Sequence, residues 1–105
     1  MPQHSRESLK LDPGIKREVK ILRDNGISTT ESCQGGIGHA YPEPTITFNG
    51  SREEGWKALS IAMAHDLKVQ SLRRSWTILE GEAVGPEWEM TFWPPKAGCY
   101  YRKFK

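Results

Sequence analysis

The stretch GPEWEMTFWPP, residues 85–95, decides the fold. Trp88, Met90 and Phe92 alternate with Glu87, Glu89 and Thr91, the period of a strand with one apolar and one polar face. Pro86 marks where this strand begins and Pro94-Pro95 where it ends, because proline has no amide to give a ladder. Upstream, Leu72, Trp76 and Ile78 share a parity, and Glu80-Gly81-Glu82 between the two runs reads as a turn. The last third of the chain is therefore a hairpin that must lay its apolar face against another layer.

Two amphipathic helices can supply that layer. Ile15, Val19 and Leu22 recur at helical spacing beside a basic stripe of Lys16, Lys20 and Arg23. Asp12 suits the N-cap of this helix and Pro13 its first position. Asn25-Gly26 ends it, with Ile27 placed to pack back on Leu22. Ser51-Arg52-Glu53-Glu54 is a capping box in which Ser51 and Glu54 satisfy each other's backbone donors. Trp56, Leu59, Ala62 and Met63 form the buried stripe of this second helix, which ends near His65-Asp66.

Between the helices, residues 27–33 read as a strand with Ile27, Thr29, Glu31 and Cys33 on one face and Ser28, Thr30 and Ser32 on the other. Thr45-Ile46-Thr47-Phe48 is a second short strand, closed by Asn49-Gly50. The order α-β-β-α-β-β predicts an α+β fold: a two-layer sandwich with two helices on one face of a four-stranded, mostly antiparallel sheet. Residues 12–95 form the single domain, residues 1–11 a polar mobile arm and residues 96–105 a basic aromatic tail. The order of strands in the sheet does not follow from the sequence.

Composition narrows the function classes. With 105 residues, 36% hydrophobic, 27% charged and a net charge of +2, the chain is expected to be a soluble cytoplasmic protein with no membrane partner. Its opening residues have no apolar core of a signal peptide. Cys33 and Cys99 lack the spacing of a disulfide framework or a zinc site, and no cofactor motif is present.

Chemistry concentrates in ESCQGGIGHAYPEPT, residues 31–45. The glycines match neither nucleotide-loop pattern, and Tyr41-Pro42-Glu43-Pro44 forbids the helix that such a loop would open. A nest of amides at Gly35, Gly36 and Gly38 can still hold an anion, with Ser32, Gln34 and His39 as side-chain donors and Glu43 on the same loop. Tyr41, held between loop and proline, and Trp93, opposite the buried parity of its strand, are placed to stack on a flat ligand. Arg73 and Arg74 precede the strand that carries Trp76, and one of them faces away from the core, where a guanidinium fork suits phosphate. Trp56, Trp76 and Trp88 are expected in the core by parity. Cys33 with His39 could support thiol chemistry, but Cys33 shares the parity of Ile27 and reads as a core thiol.

SCQGGIGHAYPEPTITF, GWKAL and GPEWEMTF together resemble a family of small uncharacterised proteins of bacteriophages, prophages and bacterial chromosomes, over residues 33–93. The resemblance implies a mobile-element context. The shorter Ser32-Cys33-x-Gly35 element is similar to the Ser-Cys-x-Gly motif of the tRNA wybutosine-synthesis family, whose next, basic residue is Gly36 here.

The expectation from context and residue chemistry together is a non-enzymatic binding protein. It would sequester a small anionic nucleotide-derived ligand, such as a cyclic nucleotide signal of host defence, through residues 32–44. The competing partner is nucleic acid, bound by the basic helix face and by the tail with Arg102, Lys103 and Lys105. A thiol-dependent enzyme using Cys33 and His39 is the third class, and a homo-oligomer is compatible with all three.

Overall fold

The computed structural model describes residues 14–39 and 41–94, so the capping roles of Asp12 and Pro13, the arm and the tail lie outside it. The elements are α1 (Lys16–Asp24), β1 (Thr29–Cys33), β2 (Thr45–Phe48), α2 (Arg52–Ala64), β3 (Val69–Leu79) and β4 (Glu82–Phe92). This is the expected α-β-β-α-β-β order. The four strands form one antiparallel sheet in the order β1-β2-β4-β3, which leaves β1 and β3 as its edges among the described residues.

Local chemistry sets the element ends. At the end of α1 the Gly26 amide donates to Arg23 O at 3.0 Å and the Ile27 amide to Leu22 O at 3.0 Å, with Gly26 at φ +94°. This is a Schellman cap, and it buries Ile27 as part of the cap before the strand begins. The N-cap position of α1 falls to Ile15, which makes no side-chain cap bond.

In α2 the Ser51 hydroxyl accepts from the Glu54 amide at 3.3 Å. The carboxyl held below its ordinary range there is Glu53, by its own backbone amide first and the Ser51 hydroxyl next. The same cap geometry closes α2, with Asp66 at φ +60° in the glycine position. Glu80 and Gly81 both have positive φ, as a two-residue hairpin turn requires.

Ile15, Val19 and Leu22 from α1, Ala58 and Ala62 from α2, Ile46 and Phe48 from β2, and Trp88, Met90 and Phe92 from β4 make the core. Each fully buried large side chain there contributes about 1.5–3 kcal/mol. Trp88 stacks on Phe48 with ring centres 6.2 Å apart.

Two tryptophans depart from expectation. Trp56 is 57% exposed and Trp76 55% exposed, and Met63 is also exposed. The face that α2 turns to the sheet is Gly55, Ala58 and Ala62, small residues that let the helix approach closely, and Trp88 fills the gap from below. A methyl group at Gly55 would overlap the Trp88 ring. Trp56, one residue on, is rotated out of that contact. Trp76 is exposed because β3 and β4 outrun the sheet: the pairing of β2 with β4 stops at Phe48–Trp88, while β3 and β4 stay paired out to Leu79–Glu82. Pro86 lies inside β4 beside a register shift, after a cis Gly85–Pro86 bond, and does not open the strand.

The expected alternation along residues 27–33 also breaks. The register shifts between Thr29 and Glu31, so Thr30 and Glu31 both reach the face away from the helices, where Thr30 meets Thr47 and Glu31 meets Tyr41. Cys33 is buried, but it pairs with Thr45 on that second face and is not part of the core cluster.

Candidate functional site

Residues 34–44 leave β1 and return as β2, and most of their backbone geometry serves closure of the loop. The Gly36 amide donates to Pro42 O at 3.0 Å, the His39 amide to Gly36 O at 3.1 Å and the Gly35 amide to Cys33 Sγ at 3.4 Å. Gly35, at φ +83°, presses on the Glu43 and Pro44 backbone where a Cβ would overlap it. Only glycine meets both conditions. The amides of Gly35 and Gly36 are thus engaged within the loop, and Ile37 and Gly38 stand at its exposed tip.

The residues singled out from the sequence separate into three places. Tyr41, Glu31 and Arg73 belong to the second face of the sheet. The Tyr41 hydroxyl donates to Glu31 Oε1 at 3.4 Å, and Arg73 Nη2 donates to Glu89 Oε1 at 2.8 Å. The Tyr41 phenol is pushed up from 10.0 to about 12, by burial first and then by the charges of Glu31, Glu89 and Glu87. On the same face, Thr45, Thr47 and Thr91 are buried with their hydroxyls bonded. This surface repels an anion, and its arginine is already matched by a carboxylate.

Arg74 lies on the helix face. Its guanidinium sits 5.3 Å from the Trp88 ring centre and donates to Gly50 O at 3.4 Å, while its buried Nε has no partner among the described residues. Ser32 pairs with Ile46 and shares the helix side. Neither belongs with the loop.

Trp93 lines the third place, a cleft that Gln34 reaches through Gly14, with His39 beside Gln34. Gln34 Oε1 accepts from the Gly14 amide at 2.9 Å, and its Nε2 lies 3.4 Å from His39 Nε2. Gly14 is one wall of this open cleft of about 260 Å³. Pro44, Phe92 and Trp93 form the apolar wall, and the Trp93 amide is fixed by Lys68 O at 2.8 Å. Arg17 and Lys68 bring positive charge to the lining, Glu18 and Asp66 negative, with Lys68 Nζ 3.2 Å from Asp66 Oδ1. The backbone of Glu43 reaches this cleft only through Pro44. Sequence reasoning found Trp93 by its parity and Gln34 and His39 by their loop. It missed Gly14, Arg17, Asp66 and Lys68, which meet only through the sheet order and carry no local signal.

The other two chemistries are placed as follows. Cys33 Sγ is buried and accepts the Gly35 amide. No cluster of metal-ligating side chains occurs among the described residues. Of the basic stripe on α1, Lys20 pairs with Asp24 at 3.2 Å and Arg23 Nε donates to Thr29 Oγ1 at 2.6 Å. No helix among the described residues is long and apolar enough to cross a membrane.

Compared with protein-family models, with characterised proteins and with solved structures, the chain matches none.

Proposed function

We propose that this protein is a binding module for a small, flat, nucleotide-derived ligand, held in the cleft beside the glycine loop. The observation that carries this reading is Trp93. It stands on the wall of a cleft whose lining brings Arg17 and Lys68 together with Glu18 and Asp66. A nucleotide has the matching chemistry: a ring to stack on the indole, phosphate for the cations, and base or sugar donors for the carboxylates. At about 260 Å³ the cleft lies just under the ~300 Å³ at which drug-sized sites begin, so it suits one nucleotide unit or one half of a cyclic dinucleotide.

The Gln34–His39 contact and the Gly14 bond tie the loop to this wall, which gives the loop glycines a supporting role: they shape the chain that carries Gln34 and His39. In the mobile-element context suggested by the resemblance over residues 33–93, such a module acts by sequestering a nucleotide signal used in host defence.

Calorimetry against cyclic dinucleotides, cyclic ADP-ribose isomers and mononucleotides tests the reading. At least one is expected to bind saturably, with binding lost in Trp93→Ala and weakened in Lys68→Ala while both variants keep the wild-type circular dichroism. No heat with any of them, and no small molecule co-purifying by mass spectrometry, would sink it.

A further inference from the structure

Strand β3 is 11 residues long and forms an edge of the sheet among the described residues. Among the described residues its last residues pair only with β4, so the end of the hairpin is a two-stranded ribbon that no described helix covers. Such a ribbon is marginal alone. It is also apolar on both faces: Trp76 and Ile78 continue the helix-side parity of Leu72, while Leu79 and Val84 belong to the other side, and all four are more than half exposed.

The adjoining flank of α2 is apolar as well. Gly55 meets Trp88 below, and Lys57 faces the α1 cap at Gly26, so Trp56 and Met63 project on the opposite flank, toward β3. The exposed parts of these six side chains, spread over both faces of the ribbon, amount to roughly 700 Å², against the ~800 Å² per partner of a standard interface.

We propose that β3 pairs antiparallel with β3 of a second copy of this chain, about a twofold axis near Trp76. Three observations select this occupant. An antiparallel edge pairs with itself, and β3 has no proline; its register shifts with β4 fall between Val69 and Ser71 and between Ser75 and Thr77, leaving Ser71–Ser75 and Thr77–Leu79 regularly paired, and Arg73 and Arg74 are drawn to Glu89 and to Trp88 with Gly50. Charge narrows the register. Centred on Trp76, the pairing sets Arg73 and Arg74 opposite Leu79 and Ile78 of the second copy, clear of that copy's own arginines. A register centred on either arginine would face like charges across the strands. Cover is the third: in this arrangement each ribbon lies beneath the Trp56–Met63 flank of the other copy, which supplies the helix layer that the described residues of its own chain do not.

Sedimentation velocity on the full chain tests this. A dimer is expected at micromolar concentration. Trp76→Lys, Ile78→Lys and Trp56→Lys should each raise its dissociation constant by at least about tenfold, since each removes more than the ~1.4 kcal/mol that factor represents. These positions are exposed, so circular dichroism and the melting profile of each monomer should match the wild type. A wild-type chain that stays monomeric at every concentration overturns the proposal, including the case in which its own residues 95–105 occupy the edge. A dimer indifferent to all three substitutions overturns it equally.

Discussion

The two faces of the sheet both bury side chains, by opposite chemistry. The helix face is filled by Phe48, Met90, Phe92 and Trp88, which need no partners beyond contact. The second face buries Thr45, Thr47 and Thr91 beneath or beside carboxylates and a tyrosine, and there every buried hydroxyl has a bonding partner. The difference teaches that burial on this sheet follows from two rules, shape on one side and hydrogen-bond satisfaction on the other.

That contrast is broken most directly at Gly55. Gly55→Ala adds helix propensity of about 1 kcal/mol, but it sets a methyl group into the Trp88 ring. The overlap should win, with a net loss of about 1–3 kcal/mol in urea denaturation. If the variant is instead more stable than wild type, the helix face is not governed by shape. Thr47→Val keeps the shape of the second face and removes its hydroxyl, which lies 2.7 Å from Thr30 Oγ1. A loss of about 0.5–1.5 kcal/mol is expected in the same measurement. No loss would mean that the threonine row is ordinary packing.

The smallest effect concerns Tyr41. Its phenol titrates near 12 in the folded chain against 10.0 without the fold, so between those values the folded chain keeps a proton that the unfolded chain gives up. The stability it contributes is complete below pH 10 and is lost as pH rises toward 12. Urea midpoints should fall through this window in wild type and fall less in Tyr41→Phe. Equal slopes would show that the phenol is not held over the carboxylates.

Element identity was legible because it is local. Gly26 followed by Ile27, Ser51 three residues before Glu54, and the alternation of Trp88, Met90 and Phe92 each state a backbone geometry within one turn or one strand. Trp56 and Trp76 were misplaced because periodicity reports which residues share a face, and not how far the facing layer extends. Trp76 keeps its parity and runs out of helix to meet. Cys33 is buried as its parity suggested, but on the second face, because a register shift between Thr29 and Glu31 changes the face of everything after it. In the candidate site, Gln34, His39 and Trp93 carried signals in their loop or parity, while Arg74 could be separated from Arg73 only by knowing which face each took. Arg17 and Lys68 are 51 positions apart and become neighbours through the order β1-β2-β4-β3 alone.

The cleft has one further property, topological in kind. Its lining takes in Gly14 and Trp93, near the two ends of the described chain, together with Lys68 at the foot of β3 and Pro44 at the foot of β2. A molecule lodged there touches segments separated by almost the full length of the domain. Under the proposed function it would act on the chain as a clasp, joining two segments nearly a domain's length apart in sequence and favouring the folded state by mass action.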